Sequence, residues 1–212
     1  MFIAAVALAT LLSVVSAIDR TTVAEQNAIS DPAKQCEIYN FPPIANDIPK
    51  FPKVFEKAKI LSTDATARAK FNSIASKIPK IAPKTEADKT KYDVDKDPDC
   101  WWTATQCTKA KAKDVPADIS LVPEPQTLGY AFDDGPNCSH NAFYDHLTEQ
   151  KQKATMFFIG SNVLAWPLQA KRAMDDGHEI CVHTWSHPEM TSLNNEDAFA
   201  EIYYTVGLSA VD

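Results

Sequence analysis

Two short strings in this chain hold residue types and spacings that can do chemistry. They are Phe132-Asp133-Asp134-Gly135-Pro136 and His183-Thr184-Trp185-Ser186-His187-Pro188. The first puts adjacent carboxylates on a tight turn, where one can bind a metal while its neighbour handles a proton. The second offers imidazoles at i and i+4, a spacing that lets both aim at one ion. Asp134, His183 and His187 together make an Asp-His-His set with an open fourth position, the arrangement of a metal that activates water. Taken singly each string is ambiguous. Asp-Asp-Gly-Pro is a common turn, and a His-x-x-x-His pair on a loop is more often structural or solvated than ligating. Where the two strings fall in the chain carries the weight.

Leu128-Gly129-Tyr130-Ala131-Phe132 alternates as a strand and predicts Asp133-Asp134 at its C-terminal end. Ser139 is positioned to cap a helix carrying Phe143 and Leu147. Residues 154–159 predict a short buried strand ended by Gly160. Pro167 to Asp176 predicts a helix, with Pro167 in its first turn and Gly177 at its C-terminal cap. Glu179 to Val182 predicts a third strand that leads straight into His183. Asn194 or Asn195 is expected to cap a last helix built on Phe199, Ile202, Tyr203 and Val206, with Gly207 breaking it. This βαβαβα series implies α/β architecture, with parallel strands covered by helices, and sites in such folds gather at the strands' C-terminal ends. Both strings fall there. The lone His140, His146 and His178 are expected to be surface or packing residues. Trp185 is expected to pack beside the site or to offer its face to a sugar ring.

Upstream, residues 1–17 read as a secretory signal peptide: Phe2 to Ala17 is uncharged, and small Val15 and Ala17 precede the cut. The run is short for a membrane span of ~20 residues. The mature product is therefore expected outside the cell or in the cell wall, with no membrane contact after cleavage. Residues 18–122 form a Lys/Ala/Pro-rich N-terminal extension, expected to be weakly ordered with one helix over Ser62–Ile78, and residues 123–212 form the domain that carries both strings. A net charge of −7 argues against nucleic acid and against anionic membrane surfaces as partners. Five cysteines leave at least one unpaired within the chain. Cys100 and Cys107 are the expected local bridge; a zinc knuckle competes weakly, since no second pair has the spacing. Asn137-Cys138-Ser139 is a glycosylation sequon.

At these residues the chain resembles the polysaccharide deacetylases of carbohydrate esterase family 4, and among them the fungal chitin deacetylases. Their Thr-Phe-Asp-Asp-Gly-Pro motif is here Ala131 to Pro136, and their His-Ser/Thr-x-x-His-Pro motif is matched throughout by His183 to Pro188. Trp101-Trp102 with its flanking cysteines, and Asn137 to Tyr144, are similar too. The resemblance implies a partial (β/α) barrel and hydrolysis of the carbon–nitrogen bond of N-acetyl groups on chitin or its oligomers, releasing acetate. It implies Asp133 as general base and Asp134, His183 and His187 as ligands of Zn2+ or another divalent transition metal such as Co2+. The family's later Arg-Pro-Pro-Tyr-Gly, Asp-Trp and Leu-x-His segments are not in this sequence, so an incomplete deacetylase of weak or no activity is expected, with Asp212 an artificial end. Similar fungal sequences tend to have a cysteine shortly before the first strand, where this chain has Val122, which implies that Cys138 has lost its partner. Two other readings stand beside this one. One is a secreted non-catalytic chitin- or metal-binding protein; the other is a deacetylase of acetylated xylan or peptidoglycan.

Overall fold

The computed structural model describes residues 18–37, 39–111, 113, 115–116 and 121–208. The signal-peptide reading, and the residues after Leu208, lie outside the described set. Two parallel dipeptide strands, β1 (Ile18–Asp19) and β2 (Tyr39–Asn40), open the chain, with α1 (Val23–Asn27) and α2 (Pro32–Gln35) between them. Thr22 and Glu25 form a capping box on α1, and Asp31 caps α2. Next come α3 (Ala65–Ala75), capped by the Asp64 carboxylate, and the one-turn α4 (Trp102–Thr105). The predicted helix over Ser62–Ile78 is thus present and shorter at both ends.

The second half builds a parallel sheet in the order β3 (Ala131–Gly135), β4 (Thr155–Phe158), β5 (Glu179–Val182). Helix α5 (Asn141–Glu149) joins β3 to β4; α6 (Gly160–Ala165) and α7 (Pro167–Asp175) join β4 to β5; α8 (Asn195–Leu208) follows. This is the α/β series the periodicity implies, with four corrections. β3 starts later than predicted and takes Asp133 and Asp134 into the strand. Gly160 ends β4 but also opens α6, which no polar cap announced. Ser139 does not cap α5; its hydroxyl and amide donate to Asn137 Oδ1, and His140 occupies the cap position. Gly207 does not break α8, which runs through it to Leu208.

Helix α7 shows why the ends fall where they do. Pro167 starts it without wasting an N–H. At the other end Gly177 takes φ +80°, Gly177 N donates to Met174 O, and His178 N donates to Ala173 O. That is a Schellman stop, and it turns the chain directly into β5.

Two apolar clusters hold the molecule together. Met156 and Phe158 of β4 bury against Tyr144 and Leu147 of α5 and against Ala170 and Ala173 of α7. The second cluster joins Leu164, Trp185, Ala200, Tyr204 and Leu208 to Ala58, Ile60 and Ala67 from the N-terminal extension. Helix α8 is therefore rotated from the face expected. Ala200, Glu201, Tyr204, Thr205 and Leu208 are its buried residues, while Ile202 and Val206 are exposed.

The extension has little regular structure, yet hydrogen bonds tie it to helices α5 and α7. Tyr39 Oη donates to Gln169 Oε1 and accepts from Leu168 N. Buried Arg20 donates to Gln26 Oε1 and to the carbonyls of Gln35 and Lys34. Asn141 Nδ2 donates to the carbonyls of Gln26 and Ile29. Cys36 is disulfide-bonded to Cys138, and Cys100 to Cys107, leaving Cys181 free. The local bridge is as expected, whereas Cys138 has a partner after all. It lies in the extension, 102 residues away in sequence, where spacing gave no hint of it.

Candidate functional site

The carboxylates are positioned by a bulge. Phe132 pairs with Met156 and Gly135 with Phe158, so β3 spends three steps where β4 spends two. The extra residue twists the strand and re-aims its side chains. Asp134 takes φ +67°, a left-handed angle that a short polar side chain tolerates better than most. Asn162 Nδ2 donates to the Asp134 carbonyl at 3.2 Å and Ile159 N to the Gly135 carbonyl at 2.7 Å, fixing the bulge against α6.

The histidine loop is held from the opposite side. His183 N donates to Phe158 O at 2.8 Å, extending the β4–β5 ladder by one step. Gly160 N and Ser161 N, at the unsatisfied start of α6, donate to the carbonyls of Thr184 and Trp185, both at 2.9 Å. Trp185 is fully buried, stacks on Phe51 at 5.9 Å, and donates from Nε1 to Lys53 O. Driving Trp185 inward turns its neighbours out, and Thr184 and His187 adopt φ +63° and +54°. His187 N closes the turn on Thr184 Oγ1 at 3.0 Å.

Under the loop lies a residue that the sequence reading missed. Glu201, on α8, has no solvent exposure. Its Oε2 accepts from Trp185 N and Ser186 N, and its Oε1 from Ser186 Oγ and Ala58 N, at 2.7–2.8 Å. A buried carboxylate is costly unless it is met by several donors, and here four meet it. The available signal was its place one step from Ala200 and three from Tyr204, inside an otherwise apolar helix face.

These supports bring Asp134, His183 and His187 together. Asp134 Oδ1 lies 3.1 Å from His183 Nε2 and 3.2 Å from His187 Nε2. One ligand atom from each residue falls within 4.8 Å of the others. Tetrahedral zinc, with bonds of about 2.0–2.2 Å, needs ligand–ligand edges of roughly 3.3–3.5 Å. The two Asp134–histidine distances come within a few tenths of an ångström of such edges, and one oxygen with two imidazole nitrogens suits a divalent transition metal. Asp134 and His187 are exposed, so the cluster faces solvent on one side. Asp133 is exposed beside Asp134, and its carboxylate has no hydrogen-bond partner among the described residues. Asp97, Cys100 and Cys107 also approach one another, but the two sulfurs are bonded to each other and offer no thiolate.

The remaining histidines are structural. His146 is exposed on α5. His140 Nδ1 accepts from Asn137 N, and burial holds its ring below the usual histidine value. His178 Nδ1 accepts from Ala154 N, and burial, reinforced by Lys153, lowers it likewise.

Residues 122–208 match the family model of the polysaccharide deacetylases. The match takes in the whole β3–β4–β5 sheet and helices α5 to α8. The chain is 54% identical to chitin deacetylase 2 of Cryptococcus neoformans var. grubii over 179 residues, covering 81% of this chain and 39% of that protein. It is 47% identical to the chitin deacetylase of Amylomyces rouxii, covering 85% of this chain and 45% of that one. The chain thus spans less than half the length of these curated relatives. A solved peptidoglycan deacetylase of Bacillus subtilis aligns at 37% identity and a TM-score of 0.36, over 38% of this chain and 40% of the other. Both the bulge and the histidine loop lie inside the matched residues, whereas Phe51, Lys53 and Ala58, which support the loop, come from the extension before them.

Proposed function

We propose that this chain carries the metal-binding and base residues of an enzyme that hydrolyses N-acetyl groups on chitin or its oligomers, outside the cell or in its wall. The convergence of Asp134 Oδ1 with the Nε2 atoms of His183 and His187 carries the reading. These three residues would hold one zinc ion, or another divalent transition metal. When bound, such an ion polarises the acetamide carbonyl and makes an adjacent water a better nucleophile near neutral pH. Asp133, whose carboxylate has no hydrogen-bond partner among the described residues, stands on the same bulge and takes the proton from the attacking water. Adjacent residues on a turn rarely both reach one small ion with good geometry, which supports the division of labour. Water adds its oxygen to the acetyl carbon, the carbon–nitrogen bond breaks, and the amine takes a proton as acetate departs. Two disulfides among five cysteines support an oxidising, extracellular setting.

Metal analysis and acetate release test this together. The 212-residue protein is expected to hold one zinc per chain and to release acetate from N-acetylglucosamine oligomers weakly or not at all, so activity is scored in a chain extended to the length of the chitin deacetylases it matches. His183→Ala and His187→Ala are expected to lose the metal, and Asp133→Asn to keep it while losing activity. Equal zinc in wild type and both histidine variants would remove the metal assignment.

A further inference from the structure

A cleft of about 570 Å³ opens beside the histidine loop, within the range of small-molecule sites. One wall is Glu189 to Thr191, which starts two residues after His187; the other is the Trp101-Trp102 turn with Lys84 and Asp99. The two walls are tied together, since Lys84 N donates to Thr191 O at 2.7 Å.

The tryptophans of this turn have opposite fates. Trp101 is 4% exposed and packs edge-on against Tyr92, while Trp102 is 60% exposed. The turn that presents Trp102 is braced from within. The Cys100–Cys107 bridge closes it. Buried Asp97 accepts from Trp101 N and Tyr92 Oη through Oδ1, and from Thr105 Oγ1 through Oδ2. A half-buried ion pair, Lys84 Nζ to Asp99 Oδ2 at 2.7 Å, supplies polar groups on the same wall. A fixed, open indole beside charged groups matches a pyranose ring. The sugar's axial C–H bonds meet the negative π face, and its hydroxyl and acetamide groups meet the ion pair.

We infer that this cleft is a saccharide subsite, with Trp102 the stacking platform for a β-1,4-linked N-acetylglucosamine unit of the chain whose acetyl group is cut at the candidate metal centre. The identity of the ligand rests on the deacetylase reading above; the platform rests on the cleft. Trp102 positions substrate and touches none of the reacting atoms.

The test is a titration of the 212-residue protein with the N-acetylglucosamine hexamer, read by tryptophan emission and by calorimetry. Binding is expected to shift the emission to the blue. Trp102→Ala is expected to abolish the shift and weaken binding about tenfold, about 1.4 kcal/mol, while Trp102→Tyr keeps most of the affinity. Zinc content is expected to be unchanged in both variants, because an exposed side chain is being replaced. Hexamer binding as tight in Trp102→Ala as in wild type would overturn the inference, as would a wild type that does not bind the hexamer. Zinc is scored on the same samples and on His183→Ala and His187→Ala. Hexamer binding that depends on Trp102, with equal zinc in the wild type and both histidine variants, would strike the deacetylase reading and leave the subsite in place.

Discussion

A carboxylate and two imidazoles meet at one point here because two of the ligands and a neighbour accept awkward backbone. Asp134, Thr184 and His187 all have positive φ, and for β-branched Thr184 that is a true outlier. Such conformations cost about 1–3 kcal/mol each and persist where the surroundings over-determine them. Glu201 and the first amides of α6 do so. Glu201→Ala is accordingly expected to destabilise the protein by more than about 3 kcal/mol, since four donors lose their acceptor. Glu201→Gln should cost less but still lower zinc content, because whichever way the amide turns, its NH2 meets a backbone N–H, of Ala58 or of Trp185 and Ser186, from which it cannot accept. Urea unfolding and metal analysis check both; full zinc occupancy in the Gln variant would show that the loop holds its shape without the carboxylate. His178 gives the residue scale a pH signature. Burial keeps its ring neutral in the fold, so the unfolded chain takes up the proton first, near pH ~6.5. The stability carried by the neutral ring is complete above that pH and is lost as pH falls through the lower folded value. The urea midpoint is expected to fall between pH 7 and 5, less steeply in His178→Asn. Parallel slopes would place the dependence elsewhere, with His140 sharing the same sign.

At the scale of elements, the strands and helices that deliver the site were legible because their signals are local. Pro167 and Gly177 mark the ends of α7, β5 has the four residues predicted, and both motifs sit at strand ends. What escaped were choices made by distant partners. α6 has no polar cap because its free amides are used by the Thr184 and Trp185 carbonyls, which no local pattern can announce. α8 turned its apolar Ile202 and Val206 outward because Glu201 had to reach the loop. The end of α5 has the same Schellman hydrogen bonds as α7: Lys151 N donates to Thr148 O, and Gln152 N to Leu147 O. There, however, Lys151 takes φ +53° where α7 uses glycine. A left-handed lysine is strained by about 1 kcal/mol or more. Lys151→Gly is thus expected to raise stability by up to ~1 kcal/mol, less whatever the freer unfolded chain takes back. Thermal unfolding measures it, and a loss of stability would mean that the exposed lysine holds more than its backbone.

For the molecule as a whole, the extension was the least legible part. Its composition is bland because it contributes single anchors to a core that other segments complete: Tyr39 against α7, Ala58 and Ile60 under Trp185, Ala67 beside α8. A segment of that kind shows no apolar periodicity of its own. Its one covalent anchor joins Cys36 to Cys138, two residues past the cis Gly135-Pro136 peptide and on the loop that leaves the aspartate bulge. In the chain-entropy account, a bridge stabilises by restricting the unfolded state, and the gain grows with the loop it closes. A closed loop of about 100 residues sets an upper value near 4.7 kcal/mol, with typical losses of about 2–4 kcal/mol. The sequence separation is 102 here and only 7 for Cys100–Cys107. Paired Cys36→Ser and Cys138→Ser substitutions are therefore expected to cost about 2–4 kcal/mol, more than removing the local bridge. The native fold should survive, because Arg20, Tyr39 and Asn141 still tie the strap down. Zinc retention is expected to weaken in step with stability, since the freed loop begins at the residues that follow Asp134. Urea unfolding of both double-serine variants, with zinc measured on each, makes the comparison. A cost below about 1 kcal/mol for the long bridge would mean that the strap's hydrogen bonds alone hold the extension, and that the unfolded chain is already compact enough to keep Cys36 near Cys138.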